Sequence, residues 1–397
     1  MAQAVYGFWS VSLRTSRVLL AELRATRQTL YGLFIAWLKH RKADILKRMV
    51  QGHDIIRKRL AFLVGTRIGV LGALGGALLL LVVAAALIGA YPLTFADIAA
   101  ALARRVAGSP PQGQIDTVLF EVRLPRVFAA VIVGAALAAA GAAYQTLFRN
   151  PLVSPDILGV STGAGLGAVI GIFLSLPVAG IQLAAFLMGL ATVGLVYSIA
   201  SVVHGREPLL VLVLAGVVLG ALAGAAISLL KILADPYDQL PAIVFWLLGS
   251  LSAIRKSEMW AATPLVILAL VPLVLLRWRI NVLSLGDEEA KALGVEAGRL
   301  RLFVIAAATL MTASVVAISG VIGWLGLVIP HVARMLVGPS FDRLLPTAML
   351  LGGGYLLLVD TLARTMARIE VPIGILTAVI GAPFFLWLLA RGREGWS

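Results

Sequence analysis

The chain has 397 residues, 60% of them hydrophobic and only 13% charged, and it contains no cysteine. A soluble domain is nearer ~45–50% apolar and ~25% charged, so this composition excludes an ordinary water-soluble enzyme and a disordered chain; the missing cysteine excludes disulfides, thiolate metal sites and cysteine nucleophiles. The net charge of +14 gathers beside the first hydrophobic run, which speaks for a membrane border and against a nucleic-acid surface.

In chain order, residues 1–66 come first, as a basic extension. Residues 1–68 hold thirteen Lys/Arg against Glu22, Asp44 and Asp54. This places the N-terminus in the cytoplasm, and it also suits a tail lying on anionic lipid. The run Tyr31–Leu38 is too short to span; it reads as a basic surface helix, or else Met49 is the true first residue. Ten apolar runs then match the roughly 20 residues that a bilayer core needs. They lie near 67–90, 126–146, 158–176, 180–203, 208–231, 259–278, 301–321, 323–338, 346–365 and 372–390. The expected fold is an all-α polytopic membrane protein, with a ten-helix domain over 67–392 and both termini cytoplasmic.

Glycine stripes at four-residue spacing, Gly159/Gly163/Gly167 and Gly216/Gly220/Gly224, predict close helix packing. Two segments also align at one offset: Gly141 with Gly320, Phe148 with Leu327, Pro151 with Pro330, and Gly159 with Gly338. Five spans separate the copies, so the reading is an inverted internal repeat with interrupted helices.

Charges within the spans are few: Asp360, His331 and Arg334. They are functional candidates by position, or they satisfy local backbone and each other near helix ends. No carboxylate cluster, HExxH or phosphate-binding GxxxxGK[ST] loop is present, so metal and cofactor sites are not expected on this chain and any ATPase is another chain. The polar stretch 279–300 opens a short helix with Asp287-Glu288-Glu289 and carries Ala290 beside Leu293 on one face. Such a helix fills a partner's groove, or the stretch is a solvated loop. Arg123 and Arg126 flank Pro125 at the start of the second span, and Arg364 and Arg368 close the ninth. Either these arginines meet lipid headgroups, or they meet an acidic partner.

The stretches Leu124-Pro-Arg-Val-Phe128, Tyr144–Leu152, Asp156–Ser161, Gly326–Arg334, Val371–Gly374 and Gly381–Trp387 resemble permease subunits of FecCD-type importers for iron chelates, haem and cobalamin. The likeness includes the structural motif residues Asn150, Pro151, Pro330, His331 and Arg334, and it runs from about residue 67 to 392. It implies a ten-helix subunit of the bacterial inner membrane that pairs with a second copy and binds two ATPase subunits, which carry the ATP and Mg. A periplasmic binding protein docks outside. By resemblance, ATPase coupling falls on Leu285, Gly286, Asp287, Glu288, Ala290, Leu293 and Gly294, and binding-protein docking on Arg123, Arg126, Arg364 or Arg368. The pathway runs along the fifth span, with Gly216 and Gly220 and a gate at Pro208, Leu209 and Leu210. The gate residues are bulkier and more apolar here than the small hydroxyl residues of the cobalamin permease. The expected cargo is an intact iron chelate, siderophore or haem. Alternatives are cobalamin, or an oxyanion such as molybdate; less favoured is an ion-coupled secondary carrier.

Overall fold

The computed structural model describes residues 67–108, 110, 113–203, 208–367 and 369–391. Two units divide at Val70 and Leu71; only residues 67–70 of the first are described, and the account below concerns the second. The basic extension 1–66 lies outside the described residues.

Each apolar run expected to span coincides with a helix. They are α1 (Arg67–Leu87), α4 (Leu124–Leu147), α5 (Val160–Phe173), α6 (Val178–Val202), α7 (Pro208–Leu233), α9 (Lys256–Leu275), α12 (Ala297–Ser319), α13 (Leu325–Val337), α14 (Phe341–Ala363) and α15 (Ile373–Arg391). Among the described residues seven helices are long and apolar enough to cross a membrane, while α5, α13 and α15 are shorter apolar helices. Five further helices lie between them: α2 (Phe95–Val106), α3 (Gly113–Thr117), α8 (Gln239–Leu247), α10 (Arg277–Leu283) and α11 (Asp287–Ala292). A π-helical turn, Val118–Arg123, joins α3 to α4 and makes one continuous run Gly113–Leu147.

The core forms around α4, α12 and α14, whose spans are mostly buried, whereas α1, α6, α7 and α9 are mostly uncovered. Composition explains the centre. Much of α4 is alanine and glycine, and Ala138, Ala139, Ala140, Ala142 and Ala143 are fully buried. Small residues let backbones approach where no hydrophobic drive pushes helices together. A Cβ on Gly134 would collide with the carbonyl oxygen of Gly352 on α14, and a Cβ on Gly352 with that of Gly134. Gly141 approaches Gly326 of α13 in the same way. The Gly163/Gly167 stripe faces α6, where added Cβ atoms would meet Thr192 and the Ala184 carbonyl.

The pairs expected from a 179-residue offset fall on inequivalent places. Pro151 lies in the turn after α4, whereas Pro330 is inside α13; Gly159 begins α5, whereas Gly338 ends α13. Gly141 is within α4, whereas Gly320 caps the end of α12. Glycine and proline are frequent in membrane helices, and a coincidence of such residues does not mark equivalent positions.

Helix α2 begins with a capping box. The Thr94 hydroxyl accepts from the Asp97 amide at 3.2 Å, and the Asp97 carboxylate accepts from the Thr94 amide at 2.8 Å. Hydrogen bonds from the Thr94 hydroxyl and amide hold the Asp97 carboxyl below its usual range. A carboxyl depressed in the folded state stabilises above its unfolded pKa of ~3.9 and loses that contribution as pH falls through the folded value. Acidification through that window is therefore expected to fray residues 95–98. Thr94→Ala should produce the same faster amide exchange at neutral pH.

Candidate functional site

Polar groups collect at two opposite ends of the bundle. The first end holds the last turn of α1, the start of α4 and the end of α14. There Arg126 makes a two-sided ion pair: its Nε donates to both Asp360 carboxylate oxygens at 3.0 and 3.1 Å, and its two terminal nitrogens reach Glu370 at 2.8 and 3.0 Å. Asp360 is fully buried. Arg123 donates to the carbonyls of Ala86 at 2.6 Å, Leu87 at 2.9 Å and Tyr91. Arg364 donates to the Ala85 carbonyl at 2.5 Å. The last carbonyls of a helix lack intrahelical donors and carry the negative end of its dipole, so these arginines act as a C-terminal cap on α1.

Arg123 and Arg126 are 4% and 7% exposed and Arg364 is engaged below the surface, so all three are tied within the chain. Arg368 lies outside the described residues. Asp360 does not pair with Arg334, which sits toward the other end of α13; its partner comes from α4. Exposed charges at the first end include Arg255 and the Lys256–Glu121 pair. Near them α5, α6, α8, α9 and α12 border an open pocket of about 340 Å³ lined by Gln182, Phe245, Trp246, Glu258 and Ser319.

The second end holds the loop that the sequence singles out. Asn281 on α10 accepts from the Phe341 amide at 2.6 Å and donates to Asp342 at 3.0 Å, which fastens α10 to the first turn of α14. Asp287 on α11 accepts twice from Arg301 of α12, at 2.9 and 3.0 Å. Ala290 is fully buried. Gly286 and Gly294, with φ of 146° and 76°, turn the chain at either end of α11 in a backbone region that disfavours other residues. Among the exposed residues of the loop are Leu285, 62% exposed, Leu293, 54% exposed, and Glu288; the Asp287 side chain itself is half-exposed. Contrary to the expectation, Ala290 and Leu293 do not share one face: Ala290 packs inward and Leu293 projects. The loop is a rigid knob tied to two core helices.

The motif segments 144–152 and 326–334 meet at this same end. The Gln145 side-chain amide donates to the Leu327 carbonyl at 2.9 Å. Pro330, inside α13, has no amide to offer the Gly326 carbonyl. Asn150 accepts from the Leu152 amide at 2.9 Å, which forms the turn that carries Pro151. Ser161 donates to the Asp156 carboxylate across the start of α5. His331 Nδ1 is buried and unpaired.

The α7 helix has two faces. Gly216 is buried, and a Cβ there would strike the Ile157 carbonyl; Gly220 lies beside Thr162. Gly216 packs inward, and Gly220 is half-buried. The outward face carries Leu210, Leu214, Val217, Ala221, Ala225, Ser228 and Ile232. Leu209 is half-buried at the start of this helix and Leu210 is 48% exposed; the Pro208 side chain lies outside the described residues. Residues 209–230 contain no charge.

Residues 77–391 match the model of the FecCD transport family. The molybdate import system permease MolB of Haemophilus influenzae is 42% identical over 81% of this chain and 96% of its own length. A probable iron chelatin transport permease of Helicobacter pylori is 43% identical over 70% of this chain and 84% of its own. The hemin transport permease HmuU of Yersinia pestis is 41% identical over 69% and 82%. A solved inward-facing structure of a metal-chelate type ABC transporter superposes with a TM-score of 0.73 at 40% identity, over 81% of this chain and 98% of the other.

Proposed function

The chain belongs to the FecCD transport family and is an ABC-transporter permease, and from that premise we propose that it is the membrane half of an importer that passes an intact iron chelate, siderophore or haem, into the bacterial cytoplasm. The observation that carries the cargo class is the outward face of α7, an uncharged wall of Leu, Val and Ala residues. Such a wall offers neither metal ligands nor an anion clamp, so a chelate crosses whole. Two copies of the chain face each other across this wall. Replacing the small Ala221 with Trp should block uptake while leaving the ATPase activity of the complex in place.

ATP hydrolysis belongs to a separate pair of chains at the second end, and a binding protein delivers cargo at the first. The loop knob couples the ATPase to the core, since Asn281 ties it to α14 and Asp287 ties it to α12. Glu288→Lys should lower transport-linked ATPase activity without changing thermal stability, because Glu288 is exposed. Asp287→Ala should lower both. Unchanged coupling in Glu288→Lys would remove the docking assignment.

Ten crossings follow if α5, α13 and α15 each traverse with their non-helical flanks. Helices α5 and α13 are short; the segments that lead into them are 148–159, which holds a single 3₁₀ turn at Pro155–Leu158, and the non-helical 320–324. Irregular backbone at membrane depth is tolerated where protein covers it. Here the Ser250 amide donates to the Ser319 carbonyl and the Gly374 amide to the Leu248 carbonyl. Ten crossings would put both termini in the cytoplasm.

Molybdate is the second reading, favoured by the long match to the molybdate permease. Stimulation of ATPase activity in proteoliposomes by binding protein loaded with ferric siderophore, haem, cobalamin or molybdate separates them. Stimulation by molybdate alone would replace the chelate reading.

A further inference from the structure

Helix α2 follows α1 by a short link and packs one face on the protein. Leu93 and Ala101 are buried against Leu119, with Ile98, Ile115, Val118, Phe120 and Leu124 around them. The Arg104–Asp116 ion pair, at 2.7 Å, and Arg105 over the Phe120 ring hold the same face. The other face has no protein partner among the described residues, yet it is apolar. Phe95 is 69% exposed, Leu102 46% and Val106 89%, with Ala99 exposed between them. Positions 95, 99, 102 and 106 fall on one stripe of a helix.

The level of this stripe can be placed. Arg123 holds the carbonyls of Ala86 and Leu87, the end of the first span. Helix α2 docks on residues 115–124, so it sits within about 14 Å beyond that level at ~1.5 Å per residue. That is the headgroup layer and the top of the acyl region, where interfacial helices lie. The α1 helix is uncovered as well: its Leu80 is 73% exposed, and Ile88, just past its end, is 47% exposed. Arg104 and Arg105, in the last turn of α2, suit the phosphate level.

From this we infer that α2 is an interfacial helix whose Phe95, Leu102 and Val106 side chains are seated in the lipid leaflet at the first end of the bundle. The inference rests on the membrane-spanning reading. The leaflet covers a face that water would otherwise wet, and it braces the start of α4, where the Arg126–Asp360 tie begins.

The cysteine-free chain allows a direct test. Single variants Leu102→Cys, Val106→Cys and, as a control in mid-span, Leu80→Cys are nitroxide-labelled in the full complex. The complex is reconstituted in vesicles of phosphatidylethanolamine and phosphatidylglycerol, and collision with oxygen is compared with collision with a water-soluble nickel chelate. The expected result is oxygen-rich, nickel-poor labels at 102 and 106, as at 80. Nickel access at 102 and 106 with a lipid-exposed label at 80 would overturn the inference alone. Labels shielded from both reagents only when the binding protein is added would overturn it in favour of a protein partner. Nickel access at all three positions would overturn the spanning reading as well.

Discussion

Replacing Asp360 with alanine is expected to destabilise the permease by about 3–5 kcal/mol, the usual cost of breaking a buried ion pair from one side. Asp360 is fully buried and receives three contacts from Arg126 within 3.1 Å. Removing it leaves the Arg126 guanidinium, itself almost covered, with only the part-exposed Glu370 carboxylate. Arg364 loses its nearest anion, at 4.0 Å, in the same step. The effect should be largest in the thermal stability of the purified complex. Replacing both members together, Arg126→Met with Asp360→Leu, should recover most of the loss, because the penalty lies in the stranded charge and not in the absent attraction. A single variant as stable as the parent would show that the tie contributes nothing to the fold.

The second large effect is steric. Gly134 and Gly352 meet backbone to backbone where α4 crosses α14, and neither site has room for a Cβ. Carbonyl groups cannot move aside as a flexible side chain can. Gly134→Ala should cost about 1–3 kcal/mol through overpacking, and Gly134→Leu more, by driving the two helices apart. Gly224→Ala is the control, since nothing lies within 4 Å of a Cβ there. Melting temperature and the yield of assembled complex measure both. Equal stability of the Gly134 and Gly224 variants would contradict the close crossing.

The spans were legible because a hydrocarbon slab imposes a length on each apolar run, and that length shows in hydropathy alone. The second span illustrates the limit. Its start at Pro125 was readable, but the helix continues outward through Val118–Arg123 to Gly113 because Leu119 is buried beneath α2. Helix α2 itself was missed. Its signals were present in the Thr94–Asp97 capping box and the 95/99/102/106 spacing, which are short-range features outside any span. The arginines stand out in the sequence as unusual, but their ties within the chain do not: the partner of Arg126 lies 234 residues away, and no local pattern reveals such a pair. The spacing of the fifth-span glycines likewise does not show that Gly216 faces the Ile157 carbonyl while its neighbours Leu214 and Val217 are exposed.

The loop knob shows the same division. Acidic residues opening a helix between two spans marked the place, and the turn glycines Gly286 and Gly294 marked its edges. That Asp287 anchors inward while Glu288 projects outward depends on Arg301, whose distance to the loop only the folded chain sets.

ATP, acting through partner subunits on the loop knob, is expected to drive cargo inward along α7. Uptake into proteoliposomes holding this permease with its ATPase tests it most directly, with loaded binding protein outside and nucleotide inside. The account predicts uptake that requires both ATP and binding protein and persists when proton and sodium gradients are collapsed. Uptake without ATP that follows an imposed ion gradient would contradict it.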